Sequence, residues 1–319
     1  MDINNEILKL DWDREPYGLY KPIEYTLAAG GKRVRPQLAM IACELFGGKA
    51  EEIAPAAMAL EVFHNFTLLH DDVMDKADVR RGRPTVHVKW NENTAILSGD
   101  QMLIEAYKLL SGVPADKLPK VLQLFNKMAT EICEGQQYDV DFESQEQVTI
   151  DDYLKMIRLK TSVLLANALQ TGAYIAGADE QAQEALYQFG INIGLAFQIQ
   201  DDILDVWGDP ATFGKAIGGD ISCNKKTFVY LEAIRRLGNE AISLEARELK
   251  HWYSQVLEDN TEKIAAVKEI FERLGVRPLC ELVVDDYTNK ALELLNTLPQ
   301  NAATEQLRQL ANKLTTRKD

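Results

Sequence analysis

The chain has 319 residues, 46% hydrophobic and 26% charged, which is enough apolar material for a large core and too much for a disordered chain. Its formal charge of −14, from 49 acidic against 35 basic side chains, excludes a generic binder of nucleic acid or anionic membrane, since those rely on excess Lys and Arg. Any anionic ligand must find local positive charge or metal ions.

In chain order, the N-terminal "MDINNEILKLDWDREPYG" has no basic segment followed by an apolar one, so no targeting peptide is expected. The next feature is "GGKRVRP" at 30–36. Gly30 and Gly31 permit a tight turn, and Lys32, Arg33 and Arg35 supply charge just before a helix. Taken alone this is more often a surface turn than a site. Its spacing is not that of a Walker A loop, and no GxGxxG follows a strand, so an ordinary nucleotide-binding fold is disfavoured.

The segment "EEIAPAAMALEVFHNFTLLHDDVMD" carries apolar residues at spacings of three and four and ends in an acidic cluster at 71–75. Arg80, Arg81 and Arg83 follow on what should be a loop. Helical period resumes in "DKLPKVLQLFNKMATEICEGQQYDV", in "IDDYLKMIRLKTSVLLANALQ" and in a segment at 180–206 that is apolar around much of its circumference. The uncharged run Thr161 to Ala178 contains Thr, Ser, Asn, Gln and two Gly, which predicts a buried helix rather than a membrane span. A second cluster, "DDILD" at 201–205, closes the segment at 180–206, and "TEKIAAVKEIFERLG" continues the pattern. "WGDP", "IGGDI" and "TLPQN" punctuate without forming a linker. The C-terminal "TTRKD" has no lipidation box.

Alternating strand-like runs are nearly absent, so the expectation is an all-α protein: one domain over 1–319, a single large bundle of about ten core helices, with smaller C-terminal helices outside it. Cys43, Cys133, Cys223 and Cys280 lie far apart with no CxxC pair, which fits reduced, buried thiols and a cytoplasmic location.

The two acidic clusters carry the chemistry. Asp71 and Asp75 fall one turn apart on a helix, about 6 Å along its axis, and Asp201 and Asp205 repeat the arrangement. Like charges at that spacing repel, and at a helix C-terminus they also oppose the macrodipole. Mg²⁺ would relieve both penalties by taking carboxylate oxygens, and it commonly shares its shell with waters and a substrate phosphate. The arginines after the first cluster can then fold back onto phosphate oxygens. Acid for metal and base for phosphate together suit a diphosphate ligand.

With these residues in hand the chain resembles the trans-isoprenyl diphosphate synthases of the polyprenyl synthetase family. The resemblance rests on ordered motifs: "GGKRVRP", "LLHDDVMDKADVRRGRPTVH", "GD" at 99–100, "KTS" at 160–162, "FQIQDDILDVWGD", "FGK" at 213–215 and "NKKT" at 224–227. It implies a helical bundle around a deep central cavity, usually a homodimer, and a prenyltransferase that condenses isopentenyl diphosphate with an allylic diphosphate. It further implies that Asp71, Asp72 and Asp75, with Asp201, Asp202 and Asp205, hold three Mg²⁺ ions, and that Asp71, Asp75 and Asp201 are direct ligands. Arg80, Lys160, Lys215 and Lys225 would contact the allylic diphosphate, Lys226 being a weaker match. Thr161 and Gln198 would line the carbocation site with Lys160. Isopentenyl diphosphate would bind without metal at Lys32, Arg35, His64 and Arg81. A lone His64 is otherwise a satisfied core residue more often than a ligand.

The resemblance also places product-length control at Phe63, Phe66 and Thr67, one and two turns before Asp71. The bulky Phe66 and uninterrupted "DDVMD" resemble short-chain geranylgeranyl synthases, implying a C15 to C20 product. Two other readings compete: a class I terpene cyclase, and a non-catalytic partner subunit of the same fold. The second intact "DDILD" argues against both, and "GGKRVRP", His64 and Arg80-Arg81 argue for two diphosphate sites.

Overall fold

The computed structural model describes residues 1–209, 217–238 and 243–316. It is 75% helical, as the period-3.6 pattern requires. In chain order the elements are α1 (Ile3–Leu8), α2 (Tyr17–Leu27), α3 (Val34–Leu45), α4 (Ala50–Met74), the short strands β1 (Val79–Arg80) and β2 (Arg83–Pro84), α5 (Val86–Lys89), α6 (Glu92–Leu110), α7 (Leu118–Ser144), α8 (Ile150–Ile157), a π-helical turn Arg158–Ser162, α9 (Val163–Ile175) and α10 (Glu180–Trp207). Beyond α10 come α11 (Gly219–Ser222), α12 (Phe228–Leu237), α13 (Leu244–Trp252), α14 (Thr261–Arg273), α15 (Val276–Leu295) and α16 (Ala302–Thr315).

Two compact units share these elements: Met1–Lys127, Asn167–Leu186 and Pro299–Thr304 form one, and Met128–Ala166, Tyr187–Leu298 and Glu305–Asp319 the other. Four of the boundaries fall inside α7, α9, α10 and α16, so no loop composition could mark them.

In the first unit α4 is the central element, packed by α3 and α6. Its buried face runs Ile53, Ala56, Ala57, Leu60, Phe63, and the alanines let neighbouring backbones approach. Gly99 of α6 has a similar role: a Cβ there would overlap the imidazole of His70, whose Nε2 lies 3.0 Å from the Ile96 carbonyl. The "GD" pair at 99–100 thus has a packing reason on its glycine side.

In the second unit the π turn Arg158–Ser162 lies between two glycines. A Cβ on Gly135 of α7 would overlap the backbone at Lys160, and one on Gly194 of α10 would fall 2.5 Å from Ser162 Cα. The extra residue of a π turn shifts the side chains that follow, and such turns recur at functional sites. On the other side of this unit α12 buries Phe228, Val229, Leu231 and Ala233 and packs against α8, α14 and α15.

The uncharged run at 161–178 is buried helix as expected, with Val163, Ala166, Leu169 and Ala173 fully enclosed. Among the described residues no helix is long and apolar enough to cross a membrane. All four cysteines are free, but burial holds only for Cys43 and Cys280. Cys133 and Cys223 are exposed, because one lies on the outer face of α7 and the other at the end of α11, where apolar period does not determine depth.

Candidate active site

The first acidic cluster ends α4: the last helical residue is Met74, and Asp75 is the C-cap, its amide 2.8 Å from the Asp71 carbonyl. The three aspartates differ in depth. Asp72 is buried, Asp71 half-buried and Asp75 exposed. Arg80 Nε donates to Asp72 Oδ1 at 2.7 Å, and its guanidinium lies 4.0 Å from Asp71 Oδ2. Burial pushes the Asp72 carboxyl above its usual range, with Arg80 pulling the other way.

Arg80 returns to the cluster because "VRRGRP" is a two-residue hairpin. Val79 pairs with Pro84 and Arg80 with Arg83, while Arg81 (φ 52°) and Gly82 (φ 70°) both sit in the left-handed region, as in a type I′ turn. Thr85 locks its base, its hydroxyl donating to the Ala77 carbonyl at 2.7 Å and its amide to Asp78 at 3.0 Å.

The hairpin tip meets the glycine turn. Arg81 donates to the Gly30 carbonyl, and a Cβ on Gly31 would stand 3.0 Å from the guanidinium carbon. Lys32 and Arg81 are exposed, while Arg35 and His64 are half-buried. Burial holds the Arg35 guanidinium down to about 10, still cationic at neutral pH, and its Nε has no partner. Burial, then Arg35, Arg81, Arg80 and Arg33, keeps His64 well below the usual imidazole range. Arg35, Arg80 and Arg81 therefore place positive charge around a neutral His64 imidazole, a suitable environment for an anion, while Lys32 is exposed in the glycine turn three residues before Arg35.

Arg33 does not belong to that group. It is buried, caps α3 at φ 44°, and donates to Glu61 Oε1 at 3.1 Å and to the Leu27 carbonyl at 2.7 Å. Asn65 joins it on Glu61 at 3.0 Å. Its charge is neutralised by a buried acid 28 positions away, a pairing that the local "GGKRVRP" pattern could not signal. The one available clue was Glu61 itself, a charge on an otherwise apolar helical face.

Phe66 belongs to a ladder of aromatic rings. His70 stands 4.8 Å from Phe66, Phe66 5.4 Å from Phe63, Phe63 5.1 Å from Phe125, and Phe125 5.2 Å from Tyr107. Phe63 is fully buried, but Phe66 and Thr67 keep partial exposure, so those two can face a ligand.

In the second cluster Asp202 is buried and saturated by neutral donors. Its Oδ2 accepts from Tyr153 Oη at 2.5 Å and from the Phe228 amide at 3.1 Å, and its Oδ1 from Gln198 Nε2 at 3.4 Å. Burial and nearby Asp220 push its carboxyl well above the ordinary range. Asp205 is also buried; its Oδ2 accepts from the Asp220 amide at 3.1 Å and its carbonyl from Gly218 at 2.7 Å. Asp201 is half-buried.

Thr161 Oγ1 donates to Gln198 Oε1 at 3.3 Å, and Lys160 Nζ pairs with Asp139 Oδ2 at 2.5 Å. The π turn and α10 thus bring Thr161 and Gln198 together, while the neighbouring Lys160 reaches Asp139 of α7. Asp139, Tyr153 and Asp220 were not among the sequence candidates; "QQYDVDF" gave the only trace of Asp139, as a carboxylate within a helical pattern. Lys226 donates to the Phe142 carbonyl at 2.7 Å, capping the end of α7, which assigns it a structural role. Lys225 is half-buried and its amide donates to the Asp220 carbonyl at 2.9 Å. Lys215 lies outside the described residues.

Among the described residues no group of three His, Cys, Asp or Glu side chains is placed to hold a metal ion. A pair of carboxylates on one helical turn is too few for a closed protein cage and fits a hard cation that completes its shell with water and substrate oxygens, the habit of Mg²⁺.

The polyprenyl synthetase family model matches residues 16–274. The chain belongs to the polyprenyl synthetase family of prenyltransferases. It is 44% identical over 223 residues to a geranylgeranyl diphosphate synthase of Methanosarcina mazei, covering 69% of each chain. A crystal structure of a geranylgeranyl pyrophosphate synthase superposes with a TM-score of 0.91 at 46% identity, over 99% of this chain and 96% of that one. A geranylgeranyl pyrophosphate synthase of Corynebacterium glutamicum, solved with isoprenyl diphosphate and magnesium, gives 0.88 at 30% identity over 99% and 97%. Membership in the polyprenyl synthetase family accounts for the order of the motifs.

Proposed function

We propose that the enzyme condenses isopentenyl diphosphate head-to-tail with an allylic diphosphate, dimethylallyl, geranyl or farnesyl, to give an all-trans C15 to C20 prenyl diphosphate. The observation that supports this reading is the presence, in one member of the family, of two intact aspartate clusters together with a distinct basic set, Arg35 and Arg81 around a neutral His64, with Lys32 in the same glycine turn. One substrate needs metal and the other is held by cations alone.

In this reading Asp71, Asp75 and Asp201 are the direct Mg²⁺ ligands, three ions being bound with substrate, and Asp205 assists. The buried, hydrogen-bonded Asp72 and Asp202 hold neighbouring segments. Bound Mg²⁺ neutralises the departing diphosphate. Arg80, Lys160, Lys215 and Lys225 place positive charge on the same group, so the C–O bond ionises, and the isopentenyl double bond attacks the allylic cation. The Thr161 hydroxyl and the Gln198 amide dipole stabilise that cation, and the released diphosphate takes the proton. The neutral His64 donates a hydrogen bond to the second diphosphate while Arg35 and Arg81 supply the charge.

Residues 1–319 act as one catalytic domain, supported by unit boundaries that run through continuous helices. A homodimer is supported by α6, which exposes Ile96, Leu97, Ile104 and Tyr107, with Leu97 and Ile104 seven residues apart on one face. The four free thiols support a cytoplasmic location.

The test is to incubate the enzyme with Mg²⁺, isopentenyl diphosphate and each allylic primer, and to read product lengths by mass spectrometry. A dominant C15 or C20 prenyl diphosphate is expected. Cyclic hydrocarbon from one substrate would mean a cyclase, and no turnover by folded protein a partner subunit. Phe66→Ala should lengthen the product by at least one C5 unit; an unchanged profile would remove Phe66 from the floor of the site.

A further inference from the structure

Lys263, near the start of α14, is a buried ammonium whose hydrogen-bonding partners are all neutral oxygens. Its Nζ donates to the Ser222 carbonyl at 3.2 Å, to Asn224 Oδ1 at 2.7 Å and to the Gln255 carbonyl at 3.1 Å, which uses all three of its protons. Asn224 closes the figure, its Nδ2 donating to the same Gln255 carbonyl at 3.0 Å. Asn224 also sits at φ 56°, a conformation that Asn tolerates better than most residues. A buried charge is costly unless fully hydrogen-bonded, so a lysine here needs a reason that an apolar residue could not supply.

The reason lies in what the anchored segment does at its other side. Residues 218–228 form a strap around the second acidic cluster. The amides of Gly218 and Asp220 donate to the Asp205 carbonyl and to Asp205 Oδ2 at 2.7 and 3.1 Å, and the Phe228 amide donates to Asp202 Oδ2 at 3.1 Å. Between them the Lys225 amide is held on the Asp220 carbonyl at 2.9 Å. Gly218 adds a second clamp: it is left-handed at φ 80°, and a Cβ on it would fall 2.6 Å from Ile264, the residue after Lys263. The strap is therefore pinned to the aspartates by its backbone and to α14 by one lysine and one isoleucine.

We infer that Lys263 is a positioning residue for the allylic diphosphate and its metal: through Ser222 and Asn224 it holds the strap that sets Asp202, Asp205 and Lys225. Functionally this rests on the prenyl transfer proposed above, whereas the anchoring itself can be read without any substrate. Lys32, Arg35, His64 and Arg81 belong to the other compact unit, and none of the hydrogen bonds that anchor the strap is made to them, so the inference leaves their ligand unaffected.

Lys263→Met keeps the length and removes the protons. It should raise the KM for the allylic diphosphate and the half-saturating Mg²⁺ concentration by about tenfold, leaving the KM for isopentenyl diphosphate within about twofold, because the Ser222 carbonyl and Asn224 Oδ1 lose their donor and the Gln255 carbonyl loses one of two. Lys263→Arg, which keeps charge and donors, should recover part of the loss. Asn224→Gly keeps the left-handed backbone but deletes one acceptor, and should shift the same two constants in the same direction by less; it tests the inference if Lys263→Met fails to fold. Hydrogen exchange at the amides of Gly218, Asp220, Lys225 and Phe228 should speed up in both variants. Equal rises in both KM values, or unchanged exchange at those four amides, would overturn the inference. Absence of turnover in the wild type would strike only the proposed reaction, since the exchange measurement stands without it.

Discussion

The two acidic clusters share one five-residue pattern, yet the middle aspartate of each meets a different environment. Asp72 pairs with a guanidinium brought back by a tight hairpin, while Asp202 is enclosed by a phenol, a backbone amide and a glutamine amide. An ion pair depends on charge on both partners, whereas a set of neutral donors tolerates a neutral acceptor. One shared pattern therefore yields one carboxylate that works through its charge and another that works through its shape.

Removing the carboxylates proposed to hold metal should have the largest effect. Asp71→Ala or Asp201→Ala is expected to lower kcat by about 10²–10³ or more, the scale of losing an electrostatic contact made to developing charge. If one cluster could be deleted at little cost while the other could not, the two would not share the work of ionisation.

The middle aspartates should separate next. Asp72→Asn leaves Arg80 without its carboxylate and should cost about 1–3 kcal/mol in chemical denaturation. Asp202→Asn should cost less than that, because an amide oxygen can still accept from Tyr153 and Phe228 while its NH₂ faces a flipped Gln198. Equal losses would erase the distinction between charge and shape.

The smallest effect is in pH. His64 is held well below 6.5, the value it regains on unfolding, by burial and by four arginines. The unfolded chain then binds the proton that the folded one refuses, so stability falls as pH drops through about 6.5 toward the folded value. A melting series between about pH 5 and 7.5 should show this slope, and His64→Gln should flatten it; a slope that persists in the variant would assign it to other groups.

Much of this was legible in the residues. α4 and α10 were visible as apolar periods, and the clusters at their ends as repulsions that a stability-driven sequence would avoid. The family resemblance grouped Lys32, Arg35, His64 and Arg81, and of these Arg35 and Arg81 act on the His64 imidazole. Arg33 read as one more cation of the same turn, yet its partner, Glu61, lies a helix away. The π turn at Lys160 was invisible because its cause, the clefts at Gly135 and Gly194, belongs to two other helices. Lys263 left no trace at all, being one lysine among the charges of an amphipathic segment.

The sequence by itself determined the helices, the two carboxylate pairs and the basic residues around them, because spacings of three and four act within a single turn of one helix. Which of those charges faces a ligand, which is neutralised in the core and which holds another in place was decided only by the tertiary structure. The physical reason is that desolvation and hydrogen-bond partnership depend on groups 28 to 49 positions apart, as Arg33 with Glu61 and Tyr153 with Asp202 show, and no local pattern records them.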